Sequence, residues 1–285
     1  MLSLKESNDV IIDLIRSENP FSVTRLGNAI SLFSINYDKN KNKNIDELNN
    51  ILKLVTNWDG IYYDSLEVAN AYAIKYNKAL ETSDRLAIFP ELCKPQHDYY
   101  IEKYNLNTVC NRVLEPFYLC LEDIVPWTHF LSNKKVLIIH PFIESFKKQI
   151  DNKFNMFKDK SIFLKEQQFI FYKPFQSLAG LRPHNNWLET FKIMCNDIKN
   201  LDFDIALLGC GGYGVPLCDF IKTKLNKSAI YVGGGLQLLF GVMGQRWENN
   251  EMWKKIISEN NCSFIKPSGN EIIKHKEIVE GGCYW

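Results

Sequence analysis

The chain has 285 residues, 46% of them hydrophobic and 24% charged, a balance that excludes disordered, collagen-like and disulfide-framework proteins. At this length folding removes roughly 75% of the unfolded chain's surface from water, enough for a core without covalent staples. Its 34 basic and 33 acidic side chains leave a formal +1, so no long-range field favours nucleic acid or an anionic membrane, and a phosphate ligand has to be held by local groups.

Eight cysteines, at 93, 110, 120, 195, 210, 218, 262 and 283, are scattered without a C-x-x-C pair or a histidine at zinc spacing, and free thiols in a reducing compartment are expected. The first twenty residues carry early acidic groups and the helical spacing Val10, Ile11, Leu14, Ile15, unlike the basic and then unbroken apolar pattern of a secretion signal. The longest apolar stretch, from Ala229 to Gly244, is too short and too rich in glycine to span a bilayer. The expectation is a cytoplasmic protein without a transmembrane segment. For the apolar end Cys283-Tyr284-Trp285, packing into its own core and packing into a second copy, as a homo-oligomer, both stand open.

In chain order, an opening helix precedes Pro20 and FSVTRLG, which reads as a short buried strand ending in a tight turn at Arg25-Leu26-Gly27. DKNKNKN from Asp38 is polar and of low complexity, and a mobile surface loop is expected there. From Asp46 to about Tyr104 apolar spacings of three and four predict mainly helix, with the tyrosines and tryptophans as packing. The character changes near residue 131. We therefore divide the chain into an N-terminal α/β portion with a helical insertion, 1–130, and a Rossmann-like portion, 131–285, packed together as one continuous domain.

In the second portion VLIIH is a continuous run suited to a strand buried on both faces, and Pro141 suits the start of a helix over FIESFKKQI. FDIALLG (203–209), a glycine-rich turn, the helix VPLCDFIKTKL and the strand SAIYVGG then form a β-turn-α-β unit. The predicted fold class is α/β, a Rossmann-like parallel sheet flanked by helices, with ligands outside the carboxyl ends of its strands.

The sharpest local signal is Gly209-Cys210-Gly211-Gly212-Tyr213-Gly214, between a strand and a helix. Glycines there let backbone N–H groups approach a phosphate at the positive end of the helix; the competing reading is a tight turn that allows close helix–sheet packing. The following strand ends Tyr231-Val232-Gly233-Gly234-Gly235, without the acidic residue that a ribose of NAD or S-adenosylmethionine needs, and Gly-Lys-Ser/Thr of a P-loop is absent. Beyond Gly234, Gln237 and Arg246 are candidates for a pyrophosphate or a sugar hydroxyl, against a structural Gln and a solvated Arg. His140 ends a strand and Glu144 lies one turn into the next helix, so each is a candidate base, or a helix cap and a dipole partner respectively. His184 and Trp187 in RPHNNW are candidates for an acceptor site. Neither G-x-S-x-G nor H-E-x-x-H occurs, and no acidic spacing advertises a metal.

FSVTRLG, LEPF with the following PW, KKVLIIHPF, the Gln-Ser of FQSLAG, and FDIALLGCGGYGVPLCDFIK with AIYVGGGLQLLFGVMGQRW together resemble bacterial and viral proteins with a glycosyltransferase GT-D-like fold. The likeness runs from about Phe21 to the terminal GGCYW. It implies transfer of a hexosyl group from a nucleotide-sugar donor, a UDP-sugar favoured, to a hydroxyl of a glycan or glycoconjugate acceptor. It places the diphosphate against Gly209 to Gly214, with Arg25, Gly27 and Asn28 beside the donor. Replacing Gly212 by a bulky residue is then expected to abolish donor binding in a folded protein.

One departure stands out. GT-D enzymes typically hold a divalent metal, Mn2+ or Mg2+, on the donor diphosphate through an Arg-x-Gly-Asp-x-Glu type of motif. This chain reads Arg25-Leu26-Gly27-Asn28-Ala29-Ile30, so both acidic positions are lost. Three alternatives stand: metal-independent transfer with Arg25 and helix N-termini balancing the leaving group, a carboxylate from elsewhere, or a catalytically inactive donor-binding or scaffold protein. An S-adenosylmethionine-dependent methyltransferase ranks behind these.

Overall fold

The computed structural model describes residues 2–39, 45–89 and 92–285. Of the polar run expected as a surface loop, residues 40–44 lie outside the described residues, whereas Asp38 ends a helix and pairs with Lys103.

Seven strands form one sheet: β1 (Ser22–Arg25), β2 (Arg85–Ile88), β3 (Thr108–Cys110), β4 (Lys135–Ile139), β5 (Gln168–Tyr172), β6 (Ile205–Leu208) and β7 (Ser228–Tyr231). The order is β3-β2-β1-β7-β6-β4-β5, and every pair is parallel. Since β1 pairs with β7, the portions before and after residue 131 share one sheet. In chain order the helices begin with α1 (Leu4–Arg16), α2 (Asn28–Asp38), α3 (Ile45–Asp59), α4 (Leu66–Glu81), α5 (Lys94–Tyr104) and α6 (Phe117–Leu121). They continue with α7 (Ile143–Asp151), α8 (Trp187–Lys199), α9 (Gly214–Leu225), α10 (Leu236–Leu239), α11 (Gln245–Glu248) and α12 (Glu251–Asn260). No helix among the described residues is long and apolar enough to cross a membrane.

Strand periodicity divides the core. Val136, Ile138, Ile205, Leu207 and Ile230 face one layer of helices, whereas Leu137, Ile139, Ala206, Leu208 and Ala229 face the other, as alternate side chains of a strand must. Burying each large aliphatic chain contributes about 2 kcal/mol relative to leaving it exposed. Helices packed on both faces explain why these strands read as unbroken apolar runs. Where packing leaves a helix end, local chemistry sets it: the Ser3 hydroxyl accepts the Glu6 N–H at 3.2 Å and the Glu6 carboxylate accepts the Ser3 N–H at 2.8 Å, fixing the start of α1.

Direction along the sheet decides the face. The steps β1→β2→β3 and β5→β6→β7 run one way, and their helices α2 to α5, α8 and α9 pack in one layer. The steps β3→β4→β5 run the other way, and α6 and α7 lie in the opposite layer with α1, α10 and α12, as crossovers of a single hand require. After β1 and β6 the chain therefore turns to the first layer, and after β4 and β7 to the second. These four strands are adjacent, in the order β1-β7-β6-β4, so the loops at their carboxyl ends part and open a crevice.

Candidate active site

A cavity of about 520 Å³ occupies that crevice. Every strand from β1 to β7 except the edge strand β3 sends the residues just after it directly into the wall, and the segment after β3 adds Glu115. Strand register levels the floor: Ile139 pairs with Leu208 and Leu208 with Tyr231, so His140, Gly209 and Val232 follow at the same height. The C-terminal segment closes one side with Glu280, Tyr284 and Trp285, and α3 closes another with Trp58 and Asp59.

Arg25, Gly27 and Asn28 all line the cavity. The Arg25 guanidinium donates through Nη1 to the Val232 carbonyl oxygen at 3.1 Å and lies 4.9 Å from the centre of the Phe89 ring. Gly27 is the N-cap of α2 and supplies no capping side chain, and Gly211 and Tyr213 belong to the 3₁₀ turn that leads into α9. The start of α2 therefore turns its positive end, with N–H groups that no intrahelical bond uses, toward the space beside Arg25, and the turn before α9 faces the same space although its Tyr213 and Gly214 N–H groups are taken by the Cys210 and Gly211 carbonyl oxygens. Gly211 adopts φ +57°, a conformation that favours glycine. Tyr231 donates to its carbonyl oxygen and Tyr72 to that of Gly212, each at 2.9 Å.

The helix that follows His140 offers no such end. Glu271, only 1% exposed, accepts the Glu144 and Ser145 N–H groups at 3.0 Å each and also the Ser145 hydroxyl. The start of α7 thus already holds an anion supplied by the chain itself.

The second glycine cluster is shaped by three side chains. Any Cβ at Gly233 would stand 3.0 Å from Arg25 Nη1, one at Gly234 2.5 Å from the Tyr284 ring, and one at Gly235 would collide with the Glu115 carboxyl. Gln237 is fully buried and donates to the Val242 and Tyr284 carbonyl oxygens at 3.2 and 3.1 Å, so its amide nitrogen ties down the C-terminal segment. Arg246 lines the cavity while remaining exposed, and it pairs with Glu280 and contacts Cys283 Sγ at 3.1 Å.

Other sequence candidates fall elsewhere. Gly212 and Gly214 serve packing: a Cβ at Gly212 would meet Ile61 at 2.6 Å and the Asp59 carbonyl oxygen at 2.9 Å, and one at Gly214 would enter the Tyr231 ring. Bulk at Gly212 therefore strikes the core, and the expectation of a folded variant that merely loses donor binding is corrected. Glu144 points to solvent and pairs with Lys147 at 3.1 Å, outside the cavity wall. Trp187 is wholly buried, with Nε1 donating to the Val68 carbonyl oxygen at 3.0 Å, so no acceptor reaches it. His184 bonds Thr190 Oγ1 at 2.8 Å, with its ring against Phe175 at 4.8 Å, and does not line the cavity.

His140 does line it, but in a different role from a base. Its Nδ1 accepts the Phe142 N–H at 3.0 Å, which leaves the proton on Nε2, and burial pushes its pKa down to about 3. The ring brings to the cleft a neutral donor with no free lone pair.

Two acidic residues that sequence reasoning passed over enter the wall instead. Burial pushes the Asp59 carboxyl up to about 7, with the Glu280 charge adding to the effect. Burial also raises Glu115, against the pull of Arg25, Arg246 and Arg112. Glu115 stands in the quoted LEPF string and Asp59 in Trp58-Asp59-Gly60, where an acid between an aromatic residue and a helix-ending glycine was the available signal. Among the described residues no group of three or more His, Cys, Asp or Glu side chains could hold a metal ion. Asn28, at the first lost acidic position, accepts the Gln96 amide at 3.0 Å, and Ile30, at the second, is buried in the core. The residues present do not fit the divalent metal site of the resembled family.

Comparison with family models, with curated proteins and with solved structures finds no match for the chain.

Proposed function

We propose that this chain is a glycosyltransferase that moves a hexosyl group from a nucleotide-sugar donor, a UDP-sugar favoured, to a hydroxyl of a glycan or glycoconjugate acceptor. One observation carries the reading: the Arg25 guanidinium and the N-terminal ends of α2 and α9 border a single cavity at the carboxyl edge of a parallel sheet. Fixed donors around an enclosed space favour charge that develops on a leaving diphosphate, because they are already oriented and need no reorganisation. In this arrangement the diphosphate lies along Gly27 to Ala29 and Gly211 to Tyr213. Arg25 faces the leaving oxygen, and His140 Nε2 donates to a donor oxygen. Aromatic faces at Trp58, Phe89 and Tyr284 suit the base and the sugar ring.

A screen of thermal stability with UDP-, GDP-, CMP- and dTDP-sugars tests this, with NAD and S-adenosylmethionine as controls and each ligand run with and without manganese. A ligand at about a hundred times its Kd adds roughly 2.7 kcal/mol, a shift of several degrees at this size. One sugar nucleotide is expected to shift the melting temperature, and the controls are not. A shift with S-adenosylmethionine alone would replace the reading by a methyltransferase. The lost acidic pair at Asn28 and Ile30 favours a second reading, a protein that binds the donor without turning it over; donor binding with no release of nucleotide would select it.

A further inference from the structure

We infer that Glu115 and the side-chain oxygen of Gln237 bind hydroxyls of the transferred hexosyl ring, beside the Arg25 guanidinium that meets its anomeric phosphate. The inference rests on the glycosyltransferase reading and adds to it the place of the sugar. The glycine run after β7 shapes this corner of the cavity. Gly235 lies at φ −61° and ψ −18°, a backbone conformation open to any residue. A glycine is needed there for space alone, because Glu115 Oε1 stands 2.1 Å from the position a Cβ would take. Arg25 Nη1 comes within 3.0 Å of the Cβ position of Gly233, and the Tyr284 ring covers that of Gly234. A single 3₁₀ turn, Gly233–Gly235, thus seats a guanidinium, an aromatic ring and a carboxyl in succession.

The two charged groups of this row do not neutralise each other. Arg25 donates to the Val232 carbonyl oxygen at 3.1 Å, and Arg246 pairs with Glu280. The Glu115 carboxyl forms no hydrogen bond or ion pair among the described residues, although the charges of Arg25, Arg246 and Arg112 act on it. Gln237 commits Nε2 to the Val242 and Tyr284 carbonyl oxygens. That fixes the orientation of the amide and leaves Oε1, on a wholly buried side chain, without a partner.

Glu115 and Gln237 both line the cavity. A carboxylate and an amide oxygen can only accept, and buried acceptors are rarely left without a donor. The ligand that completes them brings O–H groups. A bare phosphate brings none, and the Glu115 charge repels it. A hexosyl ring joined to a phosphate carries both kinds of group side by side: an anion for Arg25, and hydroxyls on the ring for Glu115 and Gln237. A site built to hydrogen-bond a substrate hydroxyl also discriminates strongly against a ligand that lacks it.

The test uses calorimetry on the full chain and pairs each nucleotide with its sugar: UDP with UDP-glucose and UDP-galactose, GDP with GDP-mannose, dTDP with dTDP-glucose. The wild type is compared with Glu115→Ala and with Glu115→Gln, which keeps the shape of the side chain. Glu115→Ala is expected to weaken the tightest-binding sugar nucleotide about tenfold or more, the loss of a charge-assisted bond. It should bind the matching bare nucleotide at least as tightly as the wild type, because a negative charge beside the diphosphate is gone. Glu115→Gln should show a smaller loss of the same kind, since its amide oxygen still accepts one hydroxyl. The assignment is overturned, while nucleotide binding stands, if either folded variant binds the sugar nucleotide as the wild type does. It is likewise overturned if bare and sugar nucleotide weaken by the same factor, or if the wild type binds a nucleotide and none of the sugars. If the wild type binds none of these nucleotides or their sugars, the glycosyltransferase reading itself falls and the assignment with it.

Discussion

The Tyr231 hydroxyl donates to the Gly211 carbonyl oxygen at 2.9 Å, while its ring fills the space that any side chain at Gly214 would occupy. In a trans peptide the C=O and the following N–H point in opposite directions. Drawing the Gly211 carbonyl onto Tyr231 therefore orients the Gly212 N–H away from it. Tyr231→Phe keeps the ring and removes the donor. The expected cost is about 0.5 to 1.5 kcal/mol for one lost hydrogen bond, since the Gly214 N–H still reaches the same carbonyl oxygen, read from urea unfolding. UDP affinity is expected to fall about tenfold, an effect of roughly 1.4 kcal/mol, read by calorimetry.

Asp59 makes the stability of the protein depend on pH. Its folded pKa, about 7, lies above the 3.8 of an ordinary aspartate, so the fold favours the protonated acid. That contribution is complete below about pH 3.8 and is lost as the pH rises through 7. Asp59→Asn should match the wild type in stability near pH 4 and exceed it at pH 9 by on the order of 2 kcal/mol, after allowance for the solvent that reaches the cleft. Urea midpoints at both pH values measure the difference.

His140 behaves in the opposite sense. With its pKa pushed from 6.5 down to about 3 by burial, the neutral ring supports the fold at neutral pH. This support declines as the pH falls below 6.5, where the unfolded chain takes up a proton and the folded one does not. Its ring protons, followed by NMR, should show no titration between pH 8 and 5.

At the start of α7 the Glu271 carboxylate satisfies two backbone N–H groups and one hydroxyl. Glu271→Gln keeps the shape and removes the charge and part of the acceptor capacity. A loss of about 2 to 3 kcal/mol is expected from charge-assisted bonds of this kind, measured by denaturant unfolding. Faster hydrogen exchange at Glu144 and Ser145 should accompany it.

What could be read from the residues depended on how local the cause was. VLIIH and IALLG are legible as strands because both faces of β4 and β6 meet helices, so every position is apolar. By contrast β2 and β3 have four and three residues, too few to show a period, and β2 sits inside a stretch read as helical. The glycine turns were legible as turns, but the reasons for Gly212, Gly214 and Gly234 lie in Ile61, Tyr231 and Tyr284, partners that no local spacing reveals. Glu144 illustrates the same limit, since its place in the first turn of a helix does not say which way it points. Asp59 reaches the site only because α3 ends beside Gly27, 32 positions earlier in the chain. Its only local mark is its place between Trp58 and the helix-ending Gly60.

The most direct test of the account is a calorimetric titration of UDP into the wild-type protein and into Arg25→Ala at neutral pH and low salt. Saturable one-to-one binding by the wild type, weakened about tenfold or more in a folded Arg25→Ala protein, is the predicted result, because the guanidinium fork supplies charge-assisted bonds to the diphosphate. The absence of heat with the wild type, or equal affinity in both proteins, would contradict a diphosphate site beside Arg25.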